Sequence, residues 1–136
     1  MPGQSMRRSS SDISQNRLVY EALEPLGGSS ARIRFSGRLQ GREVIWQARL
    51  RTLEDVWRER QAGDATPGSV TLRQYIHIRE TADPGLAELE VALAVPAIDA
   101  PTVFKTLIMI NNYKRLAPGR HEYGDPHPFP PPEAAG

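Results

Sequence analysis

Two runs of alternating apolar and polar residues, joined by a short turn, constrain this chain more than any other feature. The first run is ARIRFSGRL, the second is REVIWQARL, and the dipeptide QG lies between them. Period-two alternation is typical of strands with one buried face, and the turn glycine can adopt positive φ. Counting outward from the turn places Phe35 opposite Trp46, Ile33 opposite Ala48, and Gly37 opposite an apolar valine. A slip of one residue would break this agreement, so the sequence predicts an antiparallel hairpin in this register.

A helix, a second hairpin and a second helix are predicted after the first hairpin. Thr52 stands three residues before Asp55, which is the spacing of a capping box, and opens the segment TLEDVWRERQAG. The strands SVTLRQYIHIRE and LAELEVALAV alternate around the turn TADPG, and only Gln74 interrupts the apolar set. The side chains expected on the core face of this hairpin are Val70, Leu72, Ile76, Ile78, Leu89, Val91, Leu93 and Val95. Asp99 is placed to cap a helix through PTVFKTLIMINNYKRL, although a strand over TLIMI is an alternative interpretation.

The order of these elements, β-β-α-β-β-α, indicates an α+β fold. We expect a four-stranded antiparallel sheet formed from the two hairpins, with both helices on its apolar face. The domain is expected to span residues 31–117, after a marginal helix and linker at 13–30. Residues 1–12 contain four serines, and residues 118–136 contain six of the twelve prolines, so we expect disordered tails at both ends.

Composition excludes several classes of protein. The chain has no cysteine, which excludes disulfides, thiol catalysis and thiolate zinc sites. Seventeen basic residues oppose sixteen acidic ones, so the net charge of +1 does not favour a globally polycationic binder. No apolar run approaches the roughly 18–20 residues of a membrane span. Arg7 and Arg8 are not followed by an apolar segment, so we expect no secretory signal and a cytoplasmic protein without membrane association.

The outward face of the predicted sheet carries the candidate binding residues. They are Arg32, Arg34, Arg49, Arg51, Arg73, Tyr75, His77 and Arg79. Guanidinium groups bind phosphates, and aromatic rings stack on bases for about 1–3 kcal/mol each, so this face suggests single-stranded nucleic-acid binding. Two other interpretations stay open: a solvated face with salt bridges to Glu88 and Glu90, or a face covered by a protein partner.

No catalytic, cofactor or metal site is predicted. His77 beside Glu88 or Glu90 has the chemistry of a general acid–base group, but a flat strand surface favours an ion pair. The segment RHEYGDPHP contains two histidines and two carboxylates, which we interpret as an incidental cluster without a second coordination shell. No glycine-rich phosphate loop and no Ser–His–Asp arrangement is evident.

The sequence therefore suggests a small, non-enzymatic interaction domain that binds a protein partner or forms a homo-oligomer. The run LIMI makes the last helix apolar on all sides, which is typical of a helix that is deeply buried or shared with a partner. The alternative function is single-stranded nucleic-acid binding through the arginine-rich sheet face.

Overall fold

The structure, a computed structural model, describes residues 20–23, 27–63, 69–112 and 116–131. It has an α+β fold in which one mixed sheet carries a helix on each face. The elements in chain order are β1 (Tyr20–Ala22), β2 (Ser30–Leu39), β3 (Arg42–Thr52), α1 (Leu53–Gly63), β4 (Val70–Glu80), β5 (Leu86–Leu93), α2 (Ala100–Asn112) and β6 (Gly119–Phe129).

The sheet has the strand order β1-β2-β3-β5-β4-β6. Strands β3 and β5 are parallel, and the other neighbouring strands are antiparallel. The predicted four-stranded antiparallel sheet is therefore wrong in strand number and in one pairing. Because α1 lies between the hairpins, the chain crosses over the sheet before β4 begins, and β5 returns beside β3. A crossover connection of this kind is what a parallel pair requires.

The first hairpin has the predicted register. Phe35 is paired with Trp46, Ile33 with Ala48, and Gly37 with a valine of β3. Both turn residues have positive φ, 52° at position 40 and 87° at position 41, which is typical of a type I′ turn. The twist of this turn matches the twist of the flanking strands. The local sequence therefore determines the pairing of β2 with β3.

The main core lies between one face of the sheet and α2. Val103, Leu107 and Ile110 of the helix contact buried side chains from β2, β3, β4 and β5. The N–H of Thr102 donates to Asp99 Oδ1 at 2.9 Å, which confirms the predicted cap. The run LIMI is helical, so the strand alternative is wrong.

The helix α1 packs against the opposite face of the sheet, in a second cluster of apolar side chains. Leu53 and Val56 contact Tyr75 and Ala92 there, whereas the neighbour of Ala92, Val91, belongs to the main core. The prediction that both helices share one face is therefore wrong. The helix begins directly after β3, and its apolar stripe then covers the end of the outward face.

The predicted start and first turn of α1 are confirmed. The N–H of Asp55 donates to Thr52 Oγ1 at 3.0 Å, so the hydroxyl satisfies one amide that has no partner within the helix. Arg58 Nη2 lies 2.7 Å from Glu54 Oε2, one turn away. These contacts depend only on sequence spacing, which explains why they were predictable.

The side-chain alternation of β4 changes phase near its start. Val70 and Leu72 join the α1 cluster rather than the main core, so the prediction that they face the same way as Ile76 is wrong. The pairing of β4 with β6 is irregular between Leu72 and Gln74. Such an irregularity increases the local twist and redirects side chains.

The strand β6 corrects the prediction of a disordered tail at 118–136. Residues Gly119–Phe129 pair with β4 as the outermost strand, and Phe129 is buried. Prolines occur in edge strands because the proline nitrogen, which has no hydrogen to donate, can point away from the sheet. Pro126 and Pro128 are two residues apart, so both nitrogens can face the outer edge. Residues 132–136 lie outside the described residues.

The strand β1 corrects part of the prediction of a marginal helix and linker at 13–30. Tyr20–Ala22 pairs with Ile33 to Phe35 of β2. The N–H of Leu23 also donates to the carbonyl of Arg32 at 2.7 Å. The backbone N–H and C=O groups along the edge of β2 thus form hydrogen bonds with this extended segment. A helix over the same residues would not form these hydrogen bonds. Residues 1–19, including the predicted N-terminal tail, and residues 24–26 lie outside the described residues.

Candidate functional site

The strand register arranges the polar residues of the outward sheet face in two rows that cross the strands. The first row contains Arg34, Gln47, Glu88 and Arg79. The second row contains Arg32, Arg49, Glu90, His77 and Arg120. Each row therefore begins with arginine on β2 and reaches carboxylates on β5.

Three of the predicted binding residues form an exposed basic cluster on β2 and β3. They are Arg32, Arg34 and Arg49, and Arg32 is the direct cross-strand partner of Arg49. Beside them the sheet has a depression of about 350 Å³. The side chains and backbone segments lining this depression belong to Leu23, Arg32, Ile33, Gln47, Ala48, Arg49, Arg79, Glu88, Leu89 and Glu90. We call this depression, with its two arginines Arg32 and Arg49, the β2–β5 groove.

Carboxylates neutralise the far side of the groove. Arg79 Nε lies 3.3 Å from Glu88 Oε1, and Arg79 Nη1 lies 3.6 Å from Glu90 Oε1. His77 Nδ1 lies 3.4 Å from Arg79 Nη1. Since a guanidinium has only donors, His77 is the acceptor in this contact. The salt-bridged interpretation of the sheet face therefore holds for this part of it.

Arg51 is buried between the sheet and α1, so the prediction that it is an exposed binding residue is wrong. It contacts Glu59 of the helix, its Nη2 lies 2.7 Å from Glu90 Oε2, and it donates to the Tyr75 hydroxyl at 3.3 Å. Burial lowers the pKa of Arg51, but the hydrogen bond to Glu59 and the nearby negative charges outweigh burial and raise it. The same hydrogen bond lowers the pKa of Glu59. Arg51 thus joins α1 to the sheet.

Tyr75 is also buried. Its ring is therefore not available for the base stacking that the sequence analysis predicted. Its side chain contacts the α1 cluster, and the guanidinium carbon of Arg120 lies 3.9 Å from the ring centroid. This distance is typical of a cation–π contact. Sequence reasoning missed Arg120 because it assigned residues 118–136 to a disordered tail.

Arg73 lies beside β6 rather than in the basic cluster. Its Nε donates to the carbonyl of Gly124 at 2.9 Å, at the irregular part of the β4–β6 pairing. The predicted set is therefore divided among four environments: the basic cluster, the Arg79 ion pairs, the buried Arg51–Tyr75 contact and the β6 edge.

Two residues of the groove were missed by sequence reasoning. Gln47 had a detectable signal, because the alternation of β3 places it on the outward face beside Arg49. Leu23 had none, since its position depends on β1 pairing with β2. Its side chain is 47% exposed, which gives the groove an apolar margin.

The outer side of α2 is a second candidate surface. Phe104 is 39% exposed and Met109 is 38% exposed, and Ile108 between them is half-buried. Lys105 is the only charged residue of the helix. An outward helix face with so few charges differs from the polar face of an ordinary surface helix.

The described part of the chain offers no group of three or more histidine, aspartate or glutamate side chains that is arranged to hold a metal ion. His121, from the predicted incidental cluster, instead contacts the Ala117 carbonyl through Nε2 at 2.7 Å. Neither α1 nor α2, the helices of the described residues, is long and apolar enough to cross a membrane.

No protein-family model, no curated protein and no solved structure matches this chain. The geometry of the two candidate surfaces is therefore the basis for assigning a function.

Proposed function

We propose that this protein is a non-enzymatic interaction domain of the cytoplasm that self-associates through the outer face of α2. The observation that carries this proposal is the exposure of Phe104 and Met109 on a helix whose only charge is Lys105. Burying apolar surface contributes about 25 cal/mol per Å². A second copy supplies the same apolar surface, and the charge of Lys105 has Asp99 of its own chain within electrostatic reach.

Twofold pairing of α2 with its copy is the arrangement that this surface favours. In such a dimer the same patch is used on both subunits, so Phe104 of each copy faces the α2 helix of the other. The helix has thirteen residues and is therefore about 20 Å long. An interface of this size is at the small end of specific interfaces, so we expect a dissociation constant on the order of micromolar or weaker.

Sedimentation velocity and light scattering over a concentration series test this proposal. We expect the mean mass to rise from monomer toward dimer, and we expect Phe104→Glu to prevent the rise because it places a charge in the interface. The matched control is Ile45→Glu, since Ile45 is 38% exposed on a different surface, at β3. A monomer at every concentration, or an equal effect of both variants, would contradict self-association through α2.

Single-stranded nucleic-acid binding is the second candidate function. The proximity of Arg32, Arg34 and Arg49 favours it, whereas the burial of Tyr75 removes a stacking ring. We expect Arg34→Ala to reduce the log–log salt slope of oligonucleotide binding by about one unit, as one phosphate contact is lost. Arg73→Ala, at the β6 edge, is the matched control. Absence of binding to a fluorescent oligonucleotide at low salt would eliminate this candidate.

A further inference from the structure

Lys105 is unusual in this chain for its residue type as well as for its position. The chain has only two lysines, Lys105 and Lys114, beside fifteen arginines. Lys114 lies outside the described residues, so Lys105 is the one lysine of the part that the structure describes. An arginine keeps its positive charge in proteins, whereas a lysine amine loses its charge when it is acylated. The cation on the outer face of α2 is therefore of the kind that a covalent modification can remove.

The side chain of Lys105 lies in the middle of the apolar surface proposed for self-association. Lys105 is the sixth of the thirteen residues of α2, and it is exposed. Residues three and four positions apart are neighbours on a helix surface, so Ile108 and Met109 lie beside it one turn later. Phe104 directly precedes it, and Phe104 and Met109 are the exposed apolar residues of the helix. A partner that covers these two residues therefore also removes Lys105 from bulk water.

The nearest acidic group on this part of the chain does not enter the apolar surface. Asp99 is within electrostatic reach of Lys105. Its Oδ1 accepts the N–H of Thr102 at 2.9 Å as the helix cap, and the residue is exposed. Six positions correspond to about 9 Å along the helix axis, so the attraction acts through solvent and is weak. The ammonium of Lys105 thus has no carboxylate that would accompany it into an interface.

We propose that Lys105 limits the strength of α2 pairing, and that acylation of its amine by a thioester removes this limit. This inference rests on the proposed self-association. A twofold interface contains each of its residues twice, so pairing takes two like charges out of water together, and this desolvation opposes association.

The acyl transfer converts the charged side chain into a neutral one. The ammonium first releases a proton to water, and the amine nitrogen then bonds to the carbonyl carbon of the thioester. The C–S bond breaks, and the thiol leaves with the second proton. The amide product has no charge, so α2 can pair with its copy without the cost of desolvating an ammonium.

Sedimentation equilibrium of the full chain tests the effect of the charge. We expect Lys105→Nε-acetyllysine to lower the dissociation constant of the dimer at least about tenfold, and Lys105→Gln to change it in the same direction. Lys105→Arg keeps the charge and should leave the dissociation constant within about twofold of the wild type. Arg38→Gln is the matched control for net charge, because Arg38 is an exposed arginine of β2 that is paired with Glu43.

The transfer itself is tested by incubating the wild-type chain with acetyl coenzyme A. Peptide mass spectrometry should find an acetyl group on Lys105, and the modified chain should be dimeric at a concentration at which the untreated chain is monomeric. The same treatment of Lys105→Arg should leave its mass distribution in solution unchanged. Absence of acetylation at Lys105 would overturn the proposal.

The possible outcomes separate this proposal from self-association itself. Equal dissociation constants for the wild type and the acetylated chain would overturn it but leave self-association intact, since the ammonium would then reach water along the side of the helix. An equal tightening by Arg38→Gln would overturn it in favour of a general effect of net charge. A monomer at every concentration, in the wild type and in all variants, would overturn both proposals.

Discussion

The indole of Trp46 occupies the space beside the backbone of Gly37. A Cβ atom at position 37 would lie 2.6 Å from Trp46 Nε1 and 2.7 Å from Cδ1, and Trp46 is fully buried. We therefore expect Gly37→Ala to lower the free energy of unfolding by about 1–3 kcal/mol, as overpacking does in other cores. Urea denaturation measures this loss. Gly28→Ala is the control, since nothing lies within 4 Å of the added atom, and an equal loss there would contradict the steric explanation.

The contact between Arg51 and Glu59 makes stability depend on pH at the acidic end. The hydrogen bond from Arg51 holds the pKa of Glu59 below its ordinary value of 4.5. A lowered carboxylate pKa stabilises the folded state above the unfolded pKa, and this contribution is lost as pH falls through the folded pKa. We expect Glu59→Gln to be less stable than the wild type at neutral pH, with the difference shrinking below pH 4.5. Denaturant titrations at several pH values measure the difference, and a constant difference would contradict this account.

Contacts between residues close in sequence were predictable, and contacts across the fold were not. The Thr52–Asp55 cap and the Glu54–Arg58 pair follow from spacing within one helix turn. The alternation of β3 correctly places Arg51 on the outward face of the sheet. Its burial depends on α1 covering that end of the face, which no local pattern in β3 reveals.

Phe129 attaches the last strand to the rest of the molecule. Its ring centroid lies 5.7 Å from that of Trp57 on α1, and its side chain is 7% exposed. We expect Phe129→Ala to cost about 3 kcal/mol, the lower end of the range for buried phenylalanine, because the site is at an edge. Thermal and urea unfolding measure the cost. Asp125→Ala, an exposed change on the same strand, should have little effect. A negligible effect of Phe129→Ala would show that β6 is not needed for stability.

The strand β6 was not predicted because its glycines, prolines and polar residues do not form a regular apolar–polar alternation. His121 and Tyr123 are partly buried at alternate positions, but Gly124 then adopts φ 84° and the pairing with β4 shifts. Tyr123 packs against the main core, whereas Phe129, six positions later, packs in the α1 cluster on the other face of the sheet. A search for uninterrupted alternation cannot find such an element, whereas it finds β2 and β3 at once.

The order of the strands β3, β5 and β4 can be tested with introduced cysteines, because the chain has none of its own. Gln47 and Glu88 are partners across the parallel β3–β5 pair. Neighbouring strands lie about 4.8 Å apart, which is within the range for a disulfide. We expect Gln47→Cys/Glu88→Cys to form a disulfide readily in the folded state, measured by mass spectrometry and free-thiol assay.

The matched control for this test is Gln47→Cys/Arg79→Cys. Arg79 is the partner of Glu88 on β4, so it lies two strands from Gln47, at about 10 Å. This separation exceeds what a disulfide can span. Efficient oxidation of the control pair but not of the first pair would contradict the order β3-β5-β4.

Each hairpin was predictable by itself, but the way in which the two hairpins join was not. Pairing within a hairpin is determined by a short turn and by alternation, whereas the β3–β5 pairing depends on a crossover that includes α1 and β4. One signal did exist in the composition of the strands. The strand β5, LAELEVAL, is richer in apolar residues than β4, VTLRQYIHIRE, which favours a position next to the centre of the sheet.

The prolines of β6 limit how copies of this protein can assemble. Pro126 and Pro128 have no amide hydrogen. A strand from another copy would meet backbone carbonyl groups but no N–H donors at these two positions, so it could not form a complete set of hydrogen bonds with this edge. Growth by sheet extension would be open-ended and would lead toward fibres, whereas the proposed pairing of α2 with its copy would end at two subunits. The same chain thus combines a helix face that exposes Phe104 and Met109 with a sheet edge that resists polymerisation.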